Sequence, residues 1–151
     1  MSTPGFTTTF PTSATPQEVF DAIADVRGWW SEDISGACAG VGDEFTFSVP
    51  GVHYSRILVT EFEPETRIAW LVLENRMTYV ADQSEWVGTT ISFEIIPTGD
   101  TTEVLFTHIG LVPACECFDS CSTAWAGLMQ HSLSSLIATG TGRPYRASAA
   151  G

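Results

Sequence analysis

The 151-residue chain contains no lysine, and its six basic residues are all arginines. Against them stand 18 acidic residues, giving a formal net charge of −12. A charge of that sign and size repels phosphate backbones and anionic lipid surfaces, so neither nucleic acid nor membrane is expected as a partner. No apolar run reaches membrane-spanning length. The start, Met1-Ser2-Thr3-Pro4-Gly5, has no basic residue ahead of an apolar stretch. It does not read as a secretory signal, and a cytoplasmic location is expected. The signatures G-x-S-x-G, H-E-x-x-H, G-x-x-x-x-G-K and G-x-G-x-x-G are all missing. Their absence removes the common hydrolase, zinc-protease and nucleotide-binding readings. No catalytic residue, cofactor or metal is assigned from the sequence.

Cysteine is scarce, with Cys38, Cys115, Cys117 and Cys121 as the full set. In a reducing compartment they are expected as thiols. The C-x-C-x3-C spacing of the last three is not a C-x-x-C pair. On a helix, residues four apart place their β-carbons about 5–6 Å from each other, too far for the roughly 3.5–4.5 Å of a relaxed disulfide. Zinc would need a fourth ligand from Cys38 or a histidine. The plainer reading is small helix residues facing a core.

What is present is a hydrophobic content of 44%, which suits a packed globular chain. One domain is expected over 1–145, followed by a flexible tail at 146–151, and the chain is small and polar from Arg143 onward. Thr7 to Phe10 reads as a strand. Thr15-Pro16-Gln17-Glu18 is a helix start with a capping box and a proline at the first helical position. Val19, Phe20, Ile23 and Val26 then recur at helical spacing toward Gly28. Trp29 and Trp30 follow, and a loop is expected from Ser31 to Gly42.

Beyond it the period switches to two. Asp43–Val49, His53–Phe62 and Arg67–Leu73 alternate as strands, with a turn at Glu63–Thr66. Asn75–Trp86 is polar and carries no clear pattern. Gly88–Ile96 and Thr102–Ile109 read as a hairpin around Pro97-Thr98-Gly99-Asp100. From Ala114 to Thr139 there is no proline, and Phe118, Cys121, Trp125, Leu128, Ser132 and Leu136 form one helical stripe. Gly140 and Gly142 end it.

This is an α+β order: a run of antiparallel strands with one buried face, and one long helix to cover it. A twisted sheet does not lie flat on a straight helix, so space is expected between them. Small residues such as Ser55, Gly127 and Ser132 leave room there. The inward residues expected to line that space are Trp70, Phe93, Phe106, His108, Trp125 and Met129, with His53 and Ser55 beside them. Trp29 and Trp30 are adjacent, so one is expected in the core and the other at the mouth. The plainer reading packs both into the core. For His108 the choice lies between a satisfied core histidine, a polar anchor for a ligand and an acid/base group, and no carboxylate is spaced to orient it.

Several stretches resemble a known group. Val26-Arg27-Gly28-Trp29-Trp30-Ser31 resembles the SRPBCC superfamily of START domains, the birch-pollen allergen and polyketide-cyclase-like proteins. Gly42–Phe45, Glu85–Thr89, Ile91–Glu94, Thr107–Leu111, Glu116–Cys121 with Trp125, and Gly140–Tyr145 resemble its branch of homologues of the heat-shock ATPase activator. The resemblance implies a helix-grip fold, a curved antiparallel sheet wrapped around the C-terminal helix, and a hydrophobic cavity. It also implies a bacterial single-domain protein without an assigned reaction. The expected function is binding of a small hydrophobic molecule, lipid-like or aromatic, in a cavity of at least about 300 Å³. The alternatives are a cyclase- or hydrolase-like enzyme using the same pocket, and a co-chaperone-like module whose partner is a chaperone.

Overall fold

The computed structural model describes residues 5–31, 34–49, 53–78, 85–113, 115–116 and 118–144. Seven strands form one antiparallel sheet: β1 (Gly5–Thr12), β2 (Ile34–Gly36), β3 (Glu44–Val49), β4 (His53–Glu63), β5 (Arg67–Met77), β6 (Thr90–Thr98) and β7 (Thr101–Ile109). Their order is β1-β7-β6-β5-β4-β3-β2. Alternation aims one face of each strand inward. Phe45 and Phe47, Ile57 and Val59, Ile68 and Trp70, Ile91 and Phe93, and Val104 and Phe106 are all buried. Register places them side by side, with Ile68 opposite Phe93 and Phe93 opposite Phe106. Register shifts between β4 and β5, at Arg56/Ile57 and at Val59/Glu61, are bulges that bend the sheet into a trough.

Helix α1 (Pro16–Ala24) carries the expected capping box. The Glu18 N–H donates to the Thr15 hydroxyl at 3.2 Å, and the Thr15 N–H donates back to the Glu18 carboxylate at 2.9 Å. The expected continuation to Gly28 is broken at Asp25, where the chain leaves helical backbone and restarts as α2 (Val26–Trp29). The expected loop after Trp30 contains β2, which period-two reading missed because only Ile34 of its three residues is apolar and buried. Arg27 holds this edge by donating to the carbonyls of Ile34 and Gly36, at 2.8 and 3.0 Å. β6 runs on through Pro97 and Thr98, so the hairpin turn is Gly99-Asp100 alone, with Gly99 at φ +65. Asn75, Arg76 and Met77, which carried no clear pattern, extend β5.

The last helix begins at Phe118, not Ala114. It comprises α3 (Phe118–Gly127), a π-helical segment (Leu128–Leu133) and α4 (Ser134–Thr139). In the π segment the Ser134 N–H reaches back five residues to the Met129 carbonyl, one more than in an α-helix. The extra residue rotates the buried stripe. Cys121, Trp125, Met129, Ser132 and Leu133 are buried, whereas Leu128 and Leu136 of the expected stripe are half-buried. Gln130 ties the helix to β1 through the Thr9 carbonyl. Among the described residues no helix is long and apolar enough to cross a membrane.

Candidate functional site

The sheet–helix space is filled in the middle and open at one end. Trp70 is the hub of the filled part. Trp29 and Trp30 both stack on it, with ring centroids at 6.3 and 5.9 Å, and Phe45 and Phe93 meet it edge-on. Adjacency did not send the two tryptophans to opposite sides, because α2 ends between them and turns both rings onto Trp70. The Trp29 indole N–H donates to the Ile23 carbonyl, locking that ring under α1. Trp29, Trp70, Phe93, Phe106 and Met129 are all at most 2% exposed.

The open end is a cavity of about 500 Å³. Trp30 and Phe47 form one wall, Trp86 and Trp125 another, and Leu128 and the small residues Ala124 and Gly127 line the helix side. His53, His131, Ser132 and Arg143 supply the polar edge. Of the expected site residues, Trp30, His53 and Trp125 line this cavity. Trp29, Trp70, Phe93, Phe106 and Met129 form the packed floor and core behind it. Ser55 and His108 are buried beside the wall, each hydrogen-bonded to a residue that lines it or supports it.

His108 is fully satisfied. An indole N–H can only donate, so Trp125 donates to His108 Nδ1 at 3.1 Å, which leaves the proton on Nε2. Nε2–H then donates to the Thr89 hydroxyl at 2.8 Å, and that hydroxyl donates to the Trp86 carbonyl at 2.6 Å. This chain fixes Trp86 and Trp125, the two rings facing each other across the cavity wall at 5.8 Å. Burial pushes the His108 imidazolium down to about 3, so the ring is neutral. With no exposed nitrogen, His108 acts as a bracket and offers no free atom for acid/base work.

A second chain holds His53. Asn75 donates to the Ser55 hydroxyl at 3.0 Å, and Asn75 accepts from the Trp86 N–H at 3.2 Å. The buried Ser55 hydroxyl has one acceptor among the described residues, His53 Nε2 at 2.8 Å. That bond places the His53 proton on Nδ1, the nitrogen with no protein partner there. Burial pushes the His53 imidazolium down to about 4. Its ring packs edge-on against Phe47 and Trp86 at 5.0 and 4.8 Å.

Phe47, Trp86, Leu128, His131 and Arg143 were missed as lining residues. Trp86 sits beyond the unpatterned stretch, and Arg143 sits where the sequence reads as frayed tail. The resemblance of Glu85–Thr89 and Gly140–Tyr145 was the available signal for both. Cys121 faces the cavity, while Cys115 precedes the helix and donates to the Gly110 carbonyl. Cys117 and the tail at 146–151 lie outside the described residues.

The fold is shared with solved structures. The Aha1 dimer from Colwellia psychrerythraea matches with a TM-score of 0.73 and 26% identity, covering 92% of this chain and 99% of that one. DynU16, from the dynemicin biosynthetic locus, matches at 0.66 and 16% identity, covering 93% of this chain but 49% of its own. CalU16 from Micromonospora echinospora matches at 0.63 and 16% identity, covering 91% of this chain and 75% of its own. The last two likenesses establish the fold alone. No curated protein matches the sequence. The bent seven-stranded sheet closed by a C-terminal helix is the helix-grip architecture of the SRPBCC superfamily. Residues 13–138 match the family model described as Activator of Hsp90 ATPase homolog 1-like protein, and the chain belongs to that family.

Proposed function

We propose that the chain binds a small, largely apolar and aromatic molecule in the cavity between Trp30, Phe47, Trp86, Trp125 and Leu128. The observation that carries this reading is the cavity itself. About 500 Å³ walled by four aromatic rings lies within the range of small-molecule sites. Flat indole walls favour a planar guest, through stacking and through burial at roughly 25 cal/mol per Å² of apolar surface. The two hydrogen-bonded histidines support it by holding the wall rigid before any guest arrives, which lowers the ordering cost of binding.

Gly127 provides the test. It lines the cavity, and a Cβ added there meets nothing within 4 Å. Gly127→Leu is therefore expected to fill the site without disturbing the helix. Native mass spectrometry and titration with N-phenyl-1-naphthylamine, a neutral fluorophore, should show binding to the wild type and at least a tenfold loss (~1.4 kcal/mol) in the variant. A wild type that takes up neither a co-purified molecule nor the fluorophore would sink the reading.

A second reading has its own observation, the 26% identity to the Colwellia Aha1 over nearly all of both chains. On it the same fold docks a chaperone ATPase. Pull-down with such an ATPase separates the two, because Gly127→Leu changes the cavity and leaves the outer surface as it is.

A further inference from the structure

We infer that the guest of this cavity carries an acidic group, a carboxylate, sulfonate or phenolate on an aromatic frame, and that Arg143 selects for it. The inference rests on the cavity being the ligand site.

Charge distribution is the first ground. The chain has three acids for every arginine, yet no residue lining the cavity is acidic, and the wall carries Arg143 with two of the three histidines. Arg27, Arg56 and Arg67 have fixed partners: two carbonyls, the pair Glu44 and Glu74, and the pair Glu61 and Glu94. Arg76 does not line the cavity. The Arg143 guanidinium reaches no carboxylate among the described residues, in a protein where carboxylates are abundant.

The second ground is how Arg143 is held. Gly140, at φ +82, reverses the chain at the end of α4. Ser135 then donates to the Thr141 carbonyl at 2.7 Å. Gly142 lies flush on α2, where a Cβ would sit 2.1 Å from the Gly28 carbonyl oxygen. The Arg143 N–H donates to the Ser132 hydroxyl at 2.8 Å, and that hydroxyl donates to the Trp29 carbonyl at 2.6 Å. This strap fixes the Arg143 backbone against the same turn that presents Trp30. A planar, permanently charged fork set at the edge of an indole wall matches an acid on a flat ring. The Nδ1–H of His53 is a neutral donor on the same edge, so an anion meets no opposing charge there.

The test compares two fluorophores of one frame, anionic 8-anilinonaphthalene-1-sulfonate and neutral N-phenyl-1-naphthylamine. They are titrated against the full chain above the histidine range, where His53 and His131 carry no charge. The sulfonate is expected to bind the wild type about tenfold tighter than the amine, since hydrogen bonds to charged groups add about 1.5–3 kcal/mol. Arg143→Gln, which keeps the backbone N–H to Ser132, is expected to remove that preference and leave amine binding within about twofold. Arg143→Lys is expected to keep part of it. Gly127→Leu is expected to abolish both, which locates them in the cavity. Equal affinities in the wild type, or an Arg143→Gln effect of the same size on both molecules, would overturn the acidic-group inference while the cavity reading stands. Failure of both molecules to bind the wild type would overturn the two together.

Discussion

At the residue scale, His53 and His108 shape how the protein responds to acid. Both are neutral when folded, and burial alone lowers them, to about 4 and about 3, from an ordinary value of 6.5. In the unfolded chain both rings take up a proton near pH 6.5. Between there and about pH 4 the unfolded state therefore holds more protons, and stability must fall as pH falls. A tenfold difference in proton affinity between the two states corresponds to about 1.4 kcal/mol, so the combined loss is on the order of several kcal/mol. Urea unfolding measured across this window should show the decline, and His53→Gln should make it shallower. An unchanged slope in the variant would remove His53 from the account. The inward placement of His108 was readable from its alternation with Val104 and Phe106. Its neutrality was not, because that depends on Trp125 arriving from a helix seventeen residues further along.

At the element scale, the strap after α4 was illegible for a physical reason. Its residues are small and polar, and nothing in their spacing says that Gly142 must touch Gly28. The contact makes a sharp contrast between two glycines. Gly142→Ala places a methyl 2.1 Å from a backbone oxygen that cannot yield, so the strap has to lift and the Arg143–Ser132 bond is lost. We expect a destabilisation of about 1–3 kcal/mol, the usual size for a buried polar group left unpaired. Gly40→Ala meets nothing within 4 Å and should be neutral or stabilising by up to about 1 kcal/mol, through the unfolded chain. Thermal melts of the two variants check both signs. The strands and the capping box of α1 were legible because each declares itself within about ten residues. β2 and the break at Asp25 were not, since both depend on Arg27 and Gly28 packing against distant partners.

At the scale of the whole molecule, the order of strand, helix, strands and long helix was enough to give the sheet, its single buried face and the covering helix. The location of the cavity was not, because the middle of the interface is closed by Trp29, Trp30 and Trp70 stacking together. Charge also acts at this scale. A net −12 spread over a small surface repels itself, and Arg56 and Arg67 relieve it only locally by bridging neighbouring strands. Added sodium chloride should therefore raise the melting temperature, steeply below about 0.1 M where screening changes fastest, and a flat response would count against this. The π segment has a consequence of another kind. Its surplus residue makes helical phase adjustable: deleting one residue between 128 and 133 would restore regular winding and turn everything beyond it by about 100°. Leu136, Gly140 and the arginine they carry would swing with it, so a single codon could re-aim one jaw of the cleft while the sheet stayed still.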